Sequence, residues 1–158
     1  MNSQRLEKSY SDFEIISRLN SHLLDGLLAV MSKTDEKLFD AVSDTGEENR
    51  YFKDVLFELL VGILDYFSQH HELEDDEFAI FLLQYFLKTY GVKAQGDAVR
   101  AFQLMQLQPP NPYVVKGGEY AAFALNAPKK YGESEFVEQT LLLYESIVVL
   151  LKDKLTEE

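Results

Sequence analysis

Apolar residues recur every three or four positions along almost the whole chain, which is the spacing of one face of an α-helix. No run of alternating apolar and polar residues is long enough to indicate a β-strand. The pattern predicts helices over residues 11–31, 35–42, 48–70, 76–90, 97–107, 120–125 and 134–155. We therefore expect an all-α fold, a compact bundle of six or seven helices.

The two predicted helices on either side of residue 70 differ in their apolar patterns. The helix over 48–70 carries a single apolar stripe that includes Val55, Leu59 and Ile63, so we expect an amphipathic helix. The helix over 76–90 is apolar almost all the way round and is followed by Gly91, which suits a left-handed C-terminal cap. We expect this second helix, together with the last helix of the chain, to lie at the centre of the bundle.

Two segments interrupt the helical pattern. Residues 108–119 contain three prolines, which indicate an irregular loop, and Gly117 and Gly118 within it are typical of a turn. A second break is predicted after Leu125, before the last helix. Neither break is long or distinct enough to predict a domain boundary, so residues 1–158 are predicted to form a single domain.

The last predicted helix has apolar residues on two sides. Its main stripe repeats at alternating spacings of four and three from Val137 to Leu155, and Ser134 is a suitable N-cap. Leu142 and Val149 lie on the opposite side. We favour enclosure of this helix by its own domain, with homo-oligomerisation through the far side as the alternative.

The composition supports a folded chain and excludes several chemistries. Of the 158 residues 46% are hydrophobic, which is enough for a core, and no residue is cysteine. Disulfides, thiolate metal sites and a cysteine nucleophile are thereby excluded. The polar N-terminal segment and the absence of a long apolar run predict a cytoplasmic protein that does not bind membranes. We predict no cofactor.

The charge is strongly negative, with 27 acidic and 15 basic residues and a formal net charge of −12. Such a charge repels nucleic-acid phosphates and anionic lipids and attracts basic partners, although it also serves solubility alone. Direct nucleic-acid binding is therefore not expected, and a basic protein surface is the predicted partner.

The segment HHELEDDEF, residues 70–78, places two histidines and five carboxylates at a predicted helix junction. Histidines stabilise a helix C-terminus and carboxylates a helix N-terminus, each by about 0.3–1 kcal/mol, so the segment has a purely structural explanation. Metal binding fits poorly, because adjacent histidines on a helix point about 100° apart and ligand pairs normally lie three or four residues apart. We predict no metal site, and a docking surface is the functional interpretation.

This docking surface would extend along the helix over 48–70. Its acidic residues fall nearly opposite the apolar stripe, so they would continue the carboxylates of the junction as one outward acidic ridge. The predicted partner-binding residues are Asp54, Glu58, Asp65, Glu72, Glu74, Asp75, Asp76 and Glu77.

Enzymatic signatures are weak in this sequence. His22, with Asp25 and Arg18 on the same helix, is an unspecific pattern for a general base, and phosphate-binding or nucleophile-elbow motifs are missing. We predict a non-enzymatic interaction protein that binds a basic surface of a partner and inhibits or positions it, as an immunity protein, an antitoxin-like inhibitor or a nucleic-acid mimic would. The alternatives are a helical metal- or ligand-binding enzyme using His22, His70 or His71, and an oligomerising structural subunit.

Overall fold

The computed structural model describes the backbone of residues 3–130 and 132–155, and the side chains of residues 5–126 and 132–155. These residues are almost entirely helical, which confirms the predicted all-α bundle. The α-helices are α1 (Ser3–Tyr10), α2 (Phe13–Thr34), α3 (Glu36–Ser43), α4 (Glu47–His70), α5 (Asp75–Tyr90), α6 (Gln95–Met105), α7 (Pro112–Lys130) and α8 (Glu133–Leu155), with a short 3-10 turn at Val92–Ala94.

Helix α1 was not predicted, because its eight residues are mostly polar and too few to show a helical repeat. The bounds of α2 to α6 and of α8 otherwise lie within a few residues of those predicted from the apolar repeat. Gly91 ends α5 as expected, with a positive φ of 90° that favours glycine, but its ψ of 179° differs from that of the predicted left-handed cap. No described helix is long and apolar enough to span a membrane.

Helix α7 corrects the prediction of a loop over 108–119, and it continues past Leu125, so that the break expected before the last helix lies instead between Lys130 and Glu133. Of the three prolines, Pro112 occupies the first position of the helix, where its missing N–H costs nothing. The side-chain oxygen of Asn111 accepts hydrogen bonds from the backbone N–H groups of Tyr113 at 2.8 Å and Val114 at 3.2 Å. Asn111 thus caps the helix, and only residues 106–111 remain irregular.

Close contact between the backbones of α4 and α7 defines the centre of the bundle. A Cβ atom added to Gly62 would overlap the carbonyl oxygen of Val114, and one added to Gly117 would overlap the carbonyl oxygen of Leu59. Gly117 and Gly118 are therefore helical residues at a helix crossing, and the prediction that they form a turn was wrong. All six residues 59–64 of α4 are buried, so α4 is enclosed on every side there.

The prediction that α5 and α8 occupy the centre was wrong. Ile80 and Leu83 of α5 remain 44% and 36% exposed, so this helix buries one face only. Helix α8 packs by its C-terminal half through Ile147, Val148 and Leu151, whereas the first part of its apolar stripe is solvent-exposed. Its far side is also open, since Leu142 and Val149 are 52% and 55% exposed, so α8 is not enclosed by the described residues.

Candidate functional site

The segment between α4 and α5 is a tight helix-to-helix connection. At the end of α4 the backbone N–H of Leu73 donates to the carbonyl of Ser68, and that of Glu72 donates to the carbonyl of Gln69. These two bonds form a Schellman motif, with Glu72 in the left-handed position at φ of 57°. Glu74 then caps α5, because its side chain and that of Glu77 form a reciprocal capping box. The interpretation of HHELEDDEF as a helix junction is confirmed.

The histidines of the junction point to different neighbours. His71 is largely buried and hydrogen-bonds through Nε2 to the carboxylate of Asp12, whereas His70 is exposed and stacks on the ring of Tyr66. Among the described residues no group of three His, Asp or Glu side chains lies close enough to hold a metal ion. On α2, His22 is exposed.

Four of the eight predicted partner-binding residues form an exposed surface, which we call the acidic corner: Glu72, Glu74, Asp75 and Asp76. They lie within the five-residue stretch 72–76, at the Schellman motif and the first turn of α5. Within the part of the chain that the structure describes, none of these four carboxylates forms an ion pair. The corner therefore presents uncompensated negative charge to solvent.

Glu77, which was predicted to belong to this surface, is instead buried, with 6% of its surface exposed. One carboxylate oxygen pairs with the guanidinium of Arg5 at 3.4 Å and accepts the backbone N–H of Glu74 at 3.1 Å. Arg5 also donates to the carbonyl of Glu72 at 2.8 Å. The unpredicted helix α1 thus covers the start of α5 and removes Glu77 from the accessible set.

The three predicted residues on α4 do not continue the corner as an open ridge. Asp54 pairs with Arg100 of α6 at 3.3 Å, and the Arg100 guanidinium also lies 4.3 Å from the centre of the Phe57 ring. Glu58 is half-buried and accepts a hydrogen bond of 2.6 Å from the side-chain amide of Asn111. Helix α6 and the connection to α7 pack against this side of α4, which its own apolar repeat did not reveal.

Asp65 lies in a cavity of about 370 Å³, which we call the Asp65 pocket. Its two carboxylate oxygens accept hydrogen bonds of 3.0 and 3.1 Å from the side-chain amide of Gln69. Burial raises the pKa of the Asp65 carboxyl, and the bond from Gln69 offsets this only in part. Burial likewise raises the pKa of Glu58, against the lowering effect of the bond from Asn111.

The raised pKa of Asp65 gives a testable dependence of stability on pH. The pKa of the Asp65 carboxyl is higher in the folded state than its ordinary value, so its protonation favours the folded state at pH values below that ordinary pKa. This contribution to stability is lost as the pH rises through the folded-state pKa. Asp65→Asn removes this half-buried charge and, because water screens a partly exposed group, should raise the free energy of unfolding near neutral pH by less than about 1 kcal/mol. Near pH ~3, where the carboxyl is protonated, the variant and the parent should melt together.

Thermal unfolding at the two pH values checks this expectation, and Asp76→Asn is the matched control. Asp76 is exposed in the first turn of α5, where a negative charge is favourable, so neutralising it should not stabilise the fold at neutral pH. An Asp65→Asn variant that gains equal stability at both pH values would show that the gain is unrelated to ionisation of Asp65.

Comparison with known proteins identifies no relative: no protein-family model matches the chain, and neither curated proteins nor solved structures gave a match. The structure defines an all-α protein with an acidic corner at the α4–α5 junction and, beside α7, a pocket that contains the carboxylate of Asp65.

Proposed function

We propose that this protein is a non-enzymatic interaction protein, which binds a basic surface of a partner macromolecule through the acidic corner and thereby inhibits or positions that partner. The observation that carries the proposal is the exposure of Glu72, Glu74, Asp75 and Asp76 with no ion pair to any described lysine or arginine. A cationic surface that docks here does not have to displace a described internal salt bridge.

The electrostatics of the chain supports capture of such a partner. The net charge of −12 draws a basic surface in from a distance, which speeds the encounter, and the local cluster then selects where that surface docks. The corner is also well anchored, because the Schellman motif and the capping box fix the backbone that carries all four side chains. Little conformational entropy of the main chain is lost when a partner binds.

Neutralising two residues of the corner tests the proposal against the effect of overall charge. Asp75→Asn with Asp76→Asn should weaken binding of a fluorescent oligolysine peptide by about three- to tenfold at low salt, and the difference should shrink as salt is added. The matched control is Glu133→Gln with Glu135→Gln, which removes two exposed acidic residues from the first turn of α8.

Fluorescence anisotropy measures both affinities, and circular dichroism verifies that the variants remain folded. The control pair reduces the net negative charge by the same amount but does not belong to the acidic corner, so it should reduce affinity less than the pair at the corner. Equal losses for the two pairs would mean that the peptide responds only to total charge, and the acidic corner would lose its proposed role.

A further inference from the structure

The Asp65 pocket is a half-open cleft bordered by four parts of the chain. Asp65 and Gln69 of α4 form one side, the end of α6 and the 106–111 connection form another, and the first turns of α7 close it. Its volume of about 370 Å³ lies within the range of small-molecule sites. Besides Asp65 and Gln69, the polar residues Gln108 and Asn111 line the pocket, and the rest of its walls is apolar, with Leu104, Met105, Leu107, Pro110, Val114 and Val115.

The helix crossing explains why space remains beside Asp65. Asp65 is one turn beyond Gly62, where the backbones of α4 and α7 touch, so its side chain lies at the edge of the closest contact. Gly118, on the facing turn of α7, lines the pocket without a side chain to fill it. The same glycines that bring the helices together therefore leave an opening next to a carboxylate.

Asp65 is the only acidic residue among the residues that line the pocket, and it has no ion pair within the described ranges. Its bonds come from the neutral amide of Gln69, so its charge is not compensated. A carboxylate can accept about four hydrogen bonds, which leaves acceptor positions for another donor. Burial raises the pKa of the carboxyl, as expected where a negative charge lacks a cation.

We propose that the Asp65 pocket binds an ammonium or guanidinium group carried on a short apolar chain. The cationic group donates hydrogen bonds to the Asp65 carboxylate, and the apolar chain packs against Leu104, Met105 and Val114. Such a group has two sources, a free alkylamine or the side chain of a lysine or arginine on a partner protein. The first source is independent of the function proposed above, and the second rests on it.

Titration with n-butylammonium, followed by two-dimensional NMR, tests the pocket directly. We expect saturable shifts of the Gln69 side-chain amide and of the Val114 and Val115 backbone amides, with a dissociation constant on the order of millimolar for so small a ligand. The uncharged isostere 1-butanol should produce no saturable shifts. Asp65→Asn should weaken n-butylammonium binding at least about tenfold, because the charge-assisted hydrogen bond is lost.

Asp76→Asn is the matched control, since it removes an equal charge from the acidic corner and should leave n-butylammonium affinity unchanged. The proposal would be overturned if n-butylammonium caused no shifts in the parent protein. It would also be overturned if the shifts at Gln69 and Val114 were equally large in Asp65→Asn. Because Asp65→Asn is expected to stabilise the fold, loss of binding in this variant would not reflect unfolding.

The oligolysine peptide distinguishes the two sources of the cation. If the peptide shifts the same amides and Asp65→Asn abolishes those shifts, the pocket accepts a lysine side chain of a partner. If n-butylammonium binds and the peptide does not reach these amides, the ligand is a free amine. In that second case the proposal that the Asp65 pocket binds an amine is supported, whether or not the variants at Asp75 and Asp76 support the proposed function.

Discussion

Gly62→Ala is expected to lower the free energy of unfolding by about 3 kcal/mol, at the upper end of what an added methyl group normally costs. The new Cβ would overlap the carbonyl oxygen of Val114, which is backbone and cannot move away by changing a rotamer. The helices α4 and α7 would have to separate, and the packing of residues 59–64 would be lost along the crossing. Urea unfolding followed by circular dichroism measures the change.

Gly96→Ala is the matched control for this substitution. Gly96 lies in α6 with nothing within 4 Å of an added Cβ, so alanine should leave stability unchanged or raise it by up to about 1 kcal/mol through its better helix propensity. If Gly62→Ala proved as stable as the parent, the close backbone contact between α4 and α7 would be contradicted.

Arg5→Met should destabilise the protein by about 2–3 kcal/mol, because it leaves the buried carboxylate of Glu77 without its cation. Methionine keeps much of the apolar length of arginine, so the loss reports mainly on charge. The cost is limited by the partial exposure of Arg5, whose side chain is 31% accessible. Thermal and urea unfolding at neutral pH quantify it.

The double variant Arg5→Met with Glu77→Gln separates charge from packing. Glutamine keeps the shape of Glu77 and a side-chain oxygen that can accept the backbone N–H of Glu74, so the capping box is retained. We expect the double variant to recover much of the stability lost in Arg5→Met. If it were as unstable as Arg5→Met alone, the role of Arg5 would be the docking of α1 through packing.

Most helices could be predicted because their apolar repeats are long, and a repeat every three or four residues depends only on which face is buried. Helix α7 could not, because the prolines before it resemble a loop until Asn111 is recognised as its cap. The central position of α4 could not be predicted either. Glycine has a low helix propensity, and the reason for Gly62 appears only in its close contact with the backbone of α7 at Gly117 and Gly118.

The candidate site was predictable where it depends on local structure. The carboxylates of the acidic corner belong to a helix junction, and charges at helix ends follow from nearby sequence. The structure departs from the expected open ridge at Asp54, Glu58 and Glu77, whose environments are set by Arg100, Asn111 and Arg5 from distant parts of the chain. No helical repeat contains information about which remote segment will cover a given face.

The crossing of α4 and α7 also determines when the bundle can close. Gly62 and Gly117 lie roughly fifty residues apart, so α4 is synthesised well before the helix that covers it. Until α7 has been translated, the apolar side of α4 that faces it lacks its native covering. The contact between α4 and α7 therefore cannot form until residues 112–130 have been synthesised.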